Sequence, residues 1–125
     1  MWKNTILRVA GAFAVLLAIF HGLQGDAMLT ALKIDPPEQM AFIRATYQIG
    51  SLGWLAGGIL FFVAASMKNQ IARNWIVGVF AVVYGIPAAS IFLVDIGVDV
   101  VGGIMLGVIV VLALIGRNVG DMVTS

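Results

Sequence analysis

Four apolar stretches, each bounded by charges, organise this chain. Residues 9–25 lie between Arg8 and Asp26 and carry no formal charge. The same holds for 45–67 between Arg44 and Lys68, 74–94 between Arg73 and Asp95, and 100–116 between Asp99 and Arg117. These runs are 17, 23, 21 and 17 residues long. A helix needs about 17–25 apolar residues to cross a hydrocarbon core of about 30 Å. Each run is apolar on every face, unlike the alternating segments of a membrane β-barrel. The pattern predicts four transmembrane helices, near 5–31, 37–67, 72–95 and 98–118, forming a single domain over 1–125. Short connections make them antiparallel neighbours, so the expected fold is an all-α, up-down four-helix membrane bundle.

Turn signals agree with this partition. In Asp35-Pro36-Pro37-Glu38, Asp35 suits an N-cap, Pro36 a first helical position, and Glu38 the third residue after the cap. Met67-Lys68-Asn69-Gln70 reads as a short polar turn, and Asp95-Ile96-Gly97-Val98-Asp99 as a tight hairpin around a glycine. Lys3, Arg8 and the apolar run 9–20 resemble the start of a secretory signal, but Phe20-His21-Gly22-Leu23-Gln24 is a poor cleavage site, so the segment is expected to be retained.

Composition narrows the class. The chain is 62% hydrophobic and 10% charged, whereas soluble domains are about 45–50% apolar and about 25% charged. Too few charges remain to coat a water-facing surface, and disorder requires the opposite balance. A net charge of +1 leaves no electrostatic footprint for nucleic acid. With no cysteine, the chain alone offers no disulfide, thiol redox centre, Cys zinc site or iron–sulfur cluster.

Basic residues orient the expected bundle. Lys3, Arg8, Lys68, Arg73 and Arg117 fall at one set of helix ends, and Lys33 and Arg44 at the other. Basic excess marks the cytoplasmic side, so a multi-pass protein of the cell (inner) membrane with both termini cytoplasmic is expected. Asp26, Asp35, Glu38, Asp95 and Asp99 then share the outer side, and Asp121 the inner. Helices in lipid cohere by close packing. Small residues recur at Gly11, Ala14, Ala18, Gly22 and Gly25, at Gly50, Gly53 and Gly57, and at Gly103 and Gly107. They serve either intramolecular seams or a homo-oligomer or partner-subunit seam. Pro87 is expected to kink the third helix and free the Val83 carbonyl, with Tyr84 and Ser90 nearby.

Depth singles out one ionisable side chain. His21 lies 13 residues past Arg8, about 20 Å across a core of about 30 Å, and borders the small-residue face. An intramembrane ionisable group is a functional candidate: imidazole can act as general base, donor to a quinone-like carbonyl, or metal ligand. The plainer reading is a hydrogen bond across helices, to Tyr47, Gln48 or Ser51. One His without Cys makes a metal or haem centre within the chain unsuitable, and no metal site is expected. Arg44, Tyr47, Gln48 and Ser51 share one helix face by their spacing. They form either an ion-pair latch of Arg44 with Asp26, Asp95 and Asp99, or the mouth of a ligand pocket with Tyr84 deeper in the bundle. The chain carries no phosphate loop, metalloprotease helix motif or nucleophile elbow.

The stretch Ile43-Arg44-Ala45-Thr46-Tyr47, followed by Gly50-Ser51-Leu52-Gly53-Trp54-Leu55-Ala56-Gly57-Gly58, resembles the DoxX-like family of four-helix bacterial membrane proteins. The resemblance implies a four-helix membrane bundle of unknown or redox-associated role, DoxX proteins themselves being linked with quinone-using membrane oxidation, with Arg44 and Tyr47 as family polar positions. The expected function is an accessory subunit of a membrane complex or a lipid- or quinone-binding module. The alternative is a small membrane enzyme acting on a lipid, isoprenoid or quinone with His21 as acid–base. An oligomeric transporter or channel ranks below both. No resident cofactor is expected beyond a bound lipid or quinone. The expected partners are the bilayer and either a second copy or a larger membrane protein meeting the glycine-rich faces.

Overall fold

The computed structural model describes residues 2–93 and 100–117. Among these the chain is all-helical, with four helices: α1 (Trp2–Ala31), α2 (Pro37–Ser66), α3 (Gln70–Leu93) and α4 (Val100–Ile115). Three of them, α1 to α3, are long and apolar enough to cross a membrane. The fourth spans 16 residues, about 24 Å at 1.5 Å per residue.

The boundaries differ from the expected ones for identifiable reasons. Helix α2 is capped by Pro36 rather than Asp35, and no side chain bonds the cap. A residue before proline is driven out of the helical region, and Pro36 precedes Pro37, so it stays extended (φ −76°, ψ 163°); the cap moves one residue on from Asp35, and the helix starts at Pro37, the first residue of the expected span. Helix α4 stops at Ile115, short of the expected 118: the Gly116 amide makes the last i→i−4 bond, to the Leu112 carbonyl at 2.9 Å, and the next amide, that of Arg117, falls back to the Leu114 carbonyl at 3.3 Å. Helix α3 starts at Gln70, two residues early, because the Asn69 side chain accepts from the Ala72 amide at 3.0 Å and caps it. It runs on as helix through Pro87. The hairpin expected at Asp95–Asp99 lies outside the described residues.

Helix α1 packs against α2 and α4, and α3 packs against α4 and α2. The core combines alanines on every helix (Ala10 and Ala14 of α1, Ala64 and Ala65 of α2, Ala88 of α3, Ala113 of α4) with larger apolar side chains, among them Leu7, Leu106 and Ile109, and with Phe61 and Tyr84. The closest approach is between α1 and α2. A Cβ added at Gly11 would stand 2.7 Å from the Gly58 carbonyl oxygen, and one at Gly58 would stand 2.9 Å from the Gly11 carbonyl oxygen. Backbone therefore meets backbone, which only glycine permits. The motif glycines behave unequally. A Cβ at Gly57 would meet Phe80 and Tyr84 and one at Gly103 Ile91 and Phe92, whereas one added at Gly50, Gly53, Gly78 or Gly107 would meet nothing within 4 Å beyond its own helix.

The outward faces are apolar. Leu23, Phe42, Trp75 and Leu93 are each at least 70% exposed, and they sit on three different helices. So much exposed apolar surface on a water-soluble monomer would exceed the few hundred Å² usual there.

One cation behaves unlike its neighbours. Arg73, near the start of α3, is the largest fully buried side chain among the described residues, 1% exposed. Its guanidinium donates to Asn4 Oδ1 at 2.6 Å, to the Ala65 carbonyl at 3.4 Å and to the Gly116 carbonyl at 2.9 Å. Those carbonyls belong to the ends of α2 and α4, where carbonyls lack intrahelical partners and the helix dipole is negative. The side chain thus ties α1, α2 and α4 to α3, instead of pointing to a headgroup layer as its place among the basic helix ends suggested.

The α1–α2 approach yields a contrast. Gly58→Ala should destabilise the protein by about 1–3 kcal/mol through overpacking, whereas Gly53→Ala should be neutral or stabilising by up to about 1 kcal/mol through helix propensity. Thermal unfolding of the two variants in the same detergent checks this.

Candidate functional site

At the end of the α1–α2 seam opposite Arg73, four side chains of α2 reach α1 in succession. Arg44 Nε lies 3.0 Å from Asp26 Oδ1, and its Nη2 donates to Thr30 Oγ1 at 2.6 Å. The Tyr47 hydroxyl donates to the His21 carbonyl at 2.9 Å. Gln48 Nε2 donates to the Gly22 carbonyl at 3.2 Å. Ser51 Oγ stands 2.7 Å from His21 Nδ1. Positions 44, 47, 48 and 51 follow i, i+3, i+4, i+7, so one face of α2 presents all four. Between membrane helices each such bond is worth about 0.6–2 kcal/mol. The Arg44–Asp26 pair is half-exposed, and an exposed pair contributes little by itself.

The His21 ring is held on both faces. Tyr47 stacks on it with centroids 4.2 Å apart and planes 5° from parallel, and Trp54 lies against it at 4.6 Å and 53°. Tyr47 can lie flat here because residue 25 is glycine: a Cβ at Gly25 would fall inside the Tyr47 ring. The Ser51 hydroxyl also lies 3.3 Å from the Tyr47 carbonyl. Its single proton therefore has two acceptors. Given to the carbonyl, it leaves Oγ to accept from Nδ1–H; given to Nδ1, it leaves the imidazole as acceptor. The direction of the His21–Ser51 hydrogen bond thus follows the imidazole tautomer, inside an aromatic clamp.

Ser51 and Gln48 also line a groove of about 370 Å³ on the outside of this seam, with Asp26 at its polar end and Ile19, Leu23 and Leu52 along its apolar wall. Arg44 lines a separate hollow of about 420 Å³ with Thr30, Lys33 and Asp35. The pocket mouth expected as one site is thus divided between two. Tyr84 lies deeper, fully buried, its hydroxyl donating to the Trp54 carbonyl. Trp54 lies against both it and the histidine, with its ring centroid 6.2 Å from that of Tyr84 and 4.6 Å from that of His21. Asp95 and Asp99, expected in the Arg44 ion-pair cluster, lie outside the described residues. Among the described residues no three His, Cys, Asp or Glu side chains are grouped to hold a metal ion.

Three participants escaped the sequence reading. Trp54 follows Tyr47 by seven and Ser51 by three, so the same helical spacing pointed to it. Thr30 follows Asp26 by four on α1. Gly25 stood in the small-residue series, but nothing in the sequence identified the ring it accommodates. Comparison with protein-family models, curated proteins and solved structures gives no match.

Gly25→Ala should displace Tyr47, unstack His21 and cost about 1–3 kcal/mol. Tyr47→Ala should absorb much of that cost, so the double variant should be less destabilised than the sum of the two single variants. A double-mutant cycle by thermal unfolding measures the coupling.

Proposed function

We propose that this chain is a small integral membrane protein that binds a lipid or quinone in the α1–α2 groove, as a binding module or accessory subunit of a larger membrane complex. In this reading it is an up-down antiparallel bundle of four crossings in the inner membrane, with both termini cytoplasmic. Support for the antiparallel arrangement comes from Arg8 near the start of α1 reaching Ser66 at the end of α2, and from Arg44 near the start of α2 reaching Asp26 late in α1. Support for the orientation comes from the basic residues gathered at one set of helix ends. The resemblance to DoxX-like proteins belongs to the same reading and favours a quinone among the ligands.

The observation that carries the proposal is the groove itself. An apolar wall of Ile19, Leu23 and Leu52 leads to polar groups at Asp26, Gln48 and Ser51. A few convergent polar groups ending an apolar channel suit an amphiphile with a tail and a hydrogen-bonding head. The subunit role is supported by Gly50 and Gly53 of α2, Gly78 of α3 and Gly107 of α4, which have open space where a partner helix can pack.

A second reading is favoured by the His21–Ser51 pair. Ser51 lines the groove and stands 2.7 Å from Nδ1, so in an enzyme His21 would exchange a proton with a groove-bound head through Ser51.

A photoreactive isoprenoid-quinone probe should label α1 and α2 at the groove. Leu52→Trp, at an exposed groove position, should cut that labelling about fivefold or more without lowering the unfolding temperature. His21→Ala should leave labelling largely intact if the chain only binds, and should abolish turnover of the bound amphiphile if it is an enzyme. Labelling unchanged by Leu52→Trp contradicts the groove as the site.

A further inference from the structure

The opposite end of the molecule carries a second concavity. It has a volume of about 620 Å³ and is walled by the first turns of α1, the end of α2 and the α2–α3 turn. Lys3, Arg8, Lys68 and Arg73 line it, with Gln70 and Ser66 as neutral polar neighbours. No carboxylate of the described residues lines it. The carboxylates among those residues, Asp26, Asp35 and Glu38, fall at the other end of the α1–α2 seam or in the connection that follows it.

The four cations have different parts. Arg73 is buried and committed to Asn4 and to the Ala65 and Gly116 carbonyls, so it contributes charge from the floor of the cup. Lys3, Arg8 and Lys68 stand at the wall. Arg8 is exposed and held toward the cup by Ser66 Oγ at 3.3 Å. The Lys3 ammonium lies 5.9 Å from the Trp2 ring centroid, and Trp2 is 62% exposed at the rim, an amphipathic ring of the kind that settles at headgroup level. A row of basic residues along a surface would only mark the cytoplasmic face. Here three separate elements bring them around one hollow large enough for more than a bare anion.

We propose that this cup is a binding site for a phosphate-bearing anion at the membrane surface, with the phosphodiester of an anionic phospholipid headgroup as its natural occupant. Arginine offers a forked donor set to phosphate oxygens, and lysine a mobile point charge. Basic pockets between helices on the cytoplasmic side are suited to anionic lipid heads. The site is distinct from the α1–α2 groove and shares no lining residue with it, so either can fail without the other.

The test uses the full chain in detergent micelles, titrated separately with phosphatidylglycerol, phosphatidylcholine and inorganic phosphate, with bound species counted by native mass spectrometry. The unaltered protein should retain phosphatidylglycerol at least tenfold better than phosphatidylcholine. Lys3→Gln/Arg8→Gln/Lys68→Gln should lower that preference about a hundredfold, or to none, since each interfacial cation contributes roughly one factor of five to ten. The double variant Lys3→Gln/Lys68→Gln, at positions outside the buried core, should lower it about 25-fold, or to none, if the triple variant does not fold. Lys33→Gln, outside the cup, should change nothing. Capture of inorganic phosphate that depends on the same three cations supports the site with a soluble occupant instead of a lipid. A preference unchanged in both variants, or lowered equally by Lys33→Gln, overturns the proposal.

Discussion

The contact between the backbones of α1 and α2 at Gly11 and Gly58 sets the rest of the structure. A helix pair in hydrocarbon gains little from burying apolar surface, because lipid tails are as apolar as the partner helix. What remains is close approach and the polar bonds that close approach permits. With Gly11 and Gly58 each lying under the other's carbonyl, the axes come near enough for Tyr47 and Gln48 to reach carbonyls on α1 and for Ser51 to reach the His21 ring. A larger residue at either glycine would separate the two faces, and the polar ladder would lose its bonds together with its packing.

The two ends of that seam are finished differently, and each end suits a different chemistry. At the Arg73 end a buried guanidinium draws the carbonyl termini of α2 and α4 toward α1, which uses the negative ends of two helix dipoles to hold a cation away from solvent. At the His21 end the charges are half-exposed and paired, Arg44 with Asp26, while the interior holds neutral hydrogen-bonding groups clamped between aromatic rings. The first arrangement is a structural knot beneath a cationic hollow. The second places a hydroxyl and an amide on the wall of an apolar groove, with an imidazole directly behind the hydroxyl.

Much of this could be read from residue order, because spacing along a helix translates directly into facing. The interval pattern of Arg44, Tyr47, Gln48 and Ser51 put them on one face, and that face meets α1. The series Gly11, Ala14, Ala18, Gly22 and Gly25 likewise lies along the α1–α2 side. What order alone conceals is convergence. Counting residues between charges treats Arg73 as a marker of a membrane boundary; the chain ends of α2 and α4 that receive it are 8 and 43 residues away. The same counting carried the fourth helix to 118, although it ends at Ile115. Motif spacing also made Gly53 and Gly57 equivalent, whereas Gly57 carries Phe80 and Tyr84 and Gly53 carries nothing. The Arg44 cluster was drawn with Asp26, Asp95 and Asp99 on the basis of a shared helix end. Within the described residues its partners are Asp26 and Thr30, the latter a neutral residue that a search for charges passes over.

The central claim is that a single imidazole is bonded to Ser51 and clamped by Tyr47 and Trp54 within an apolar seam. Because His21 is the sole histidine, ¹⁵N-histidine labelling gives an unambiguous signal in solid-state NMR of the protein in lipid bilayers. The expected result is one ring environment, with through-space contacts to Tyr47 and Trp54 and an Nδ1 resonance that moves when Ser51 is replaced by alanine. A ring that exchanges freely with bulk water, shows no aromatic contacts and has the same Nδ1 resonance in Ser51→Ala would contradict the claim.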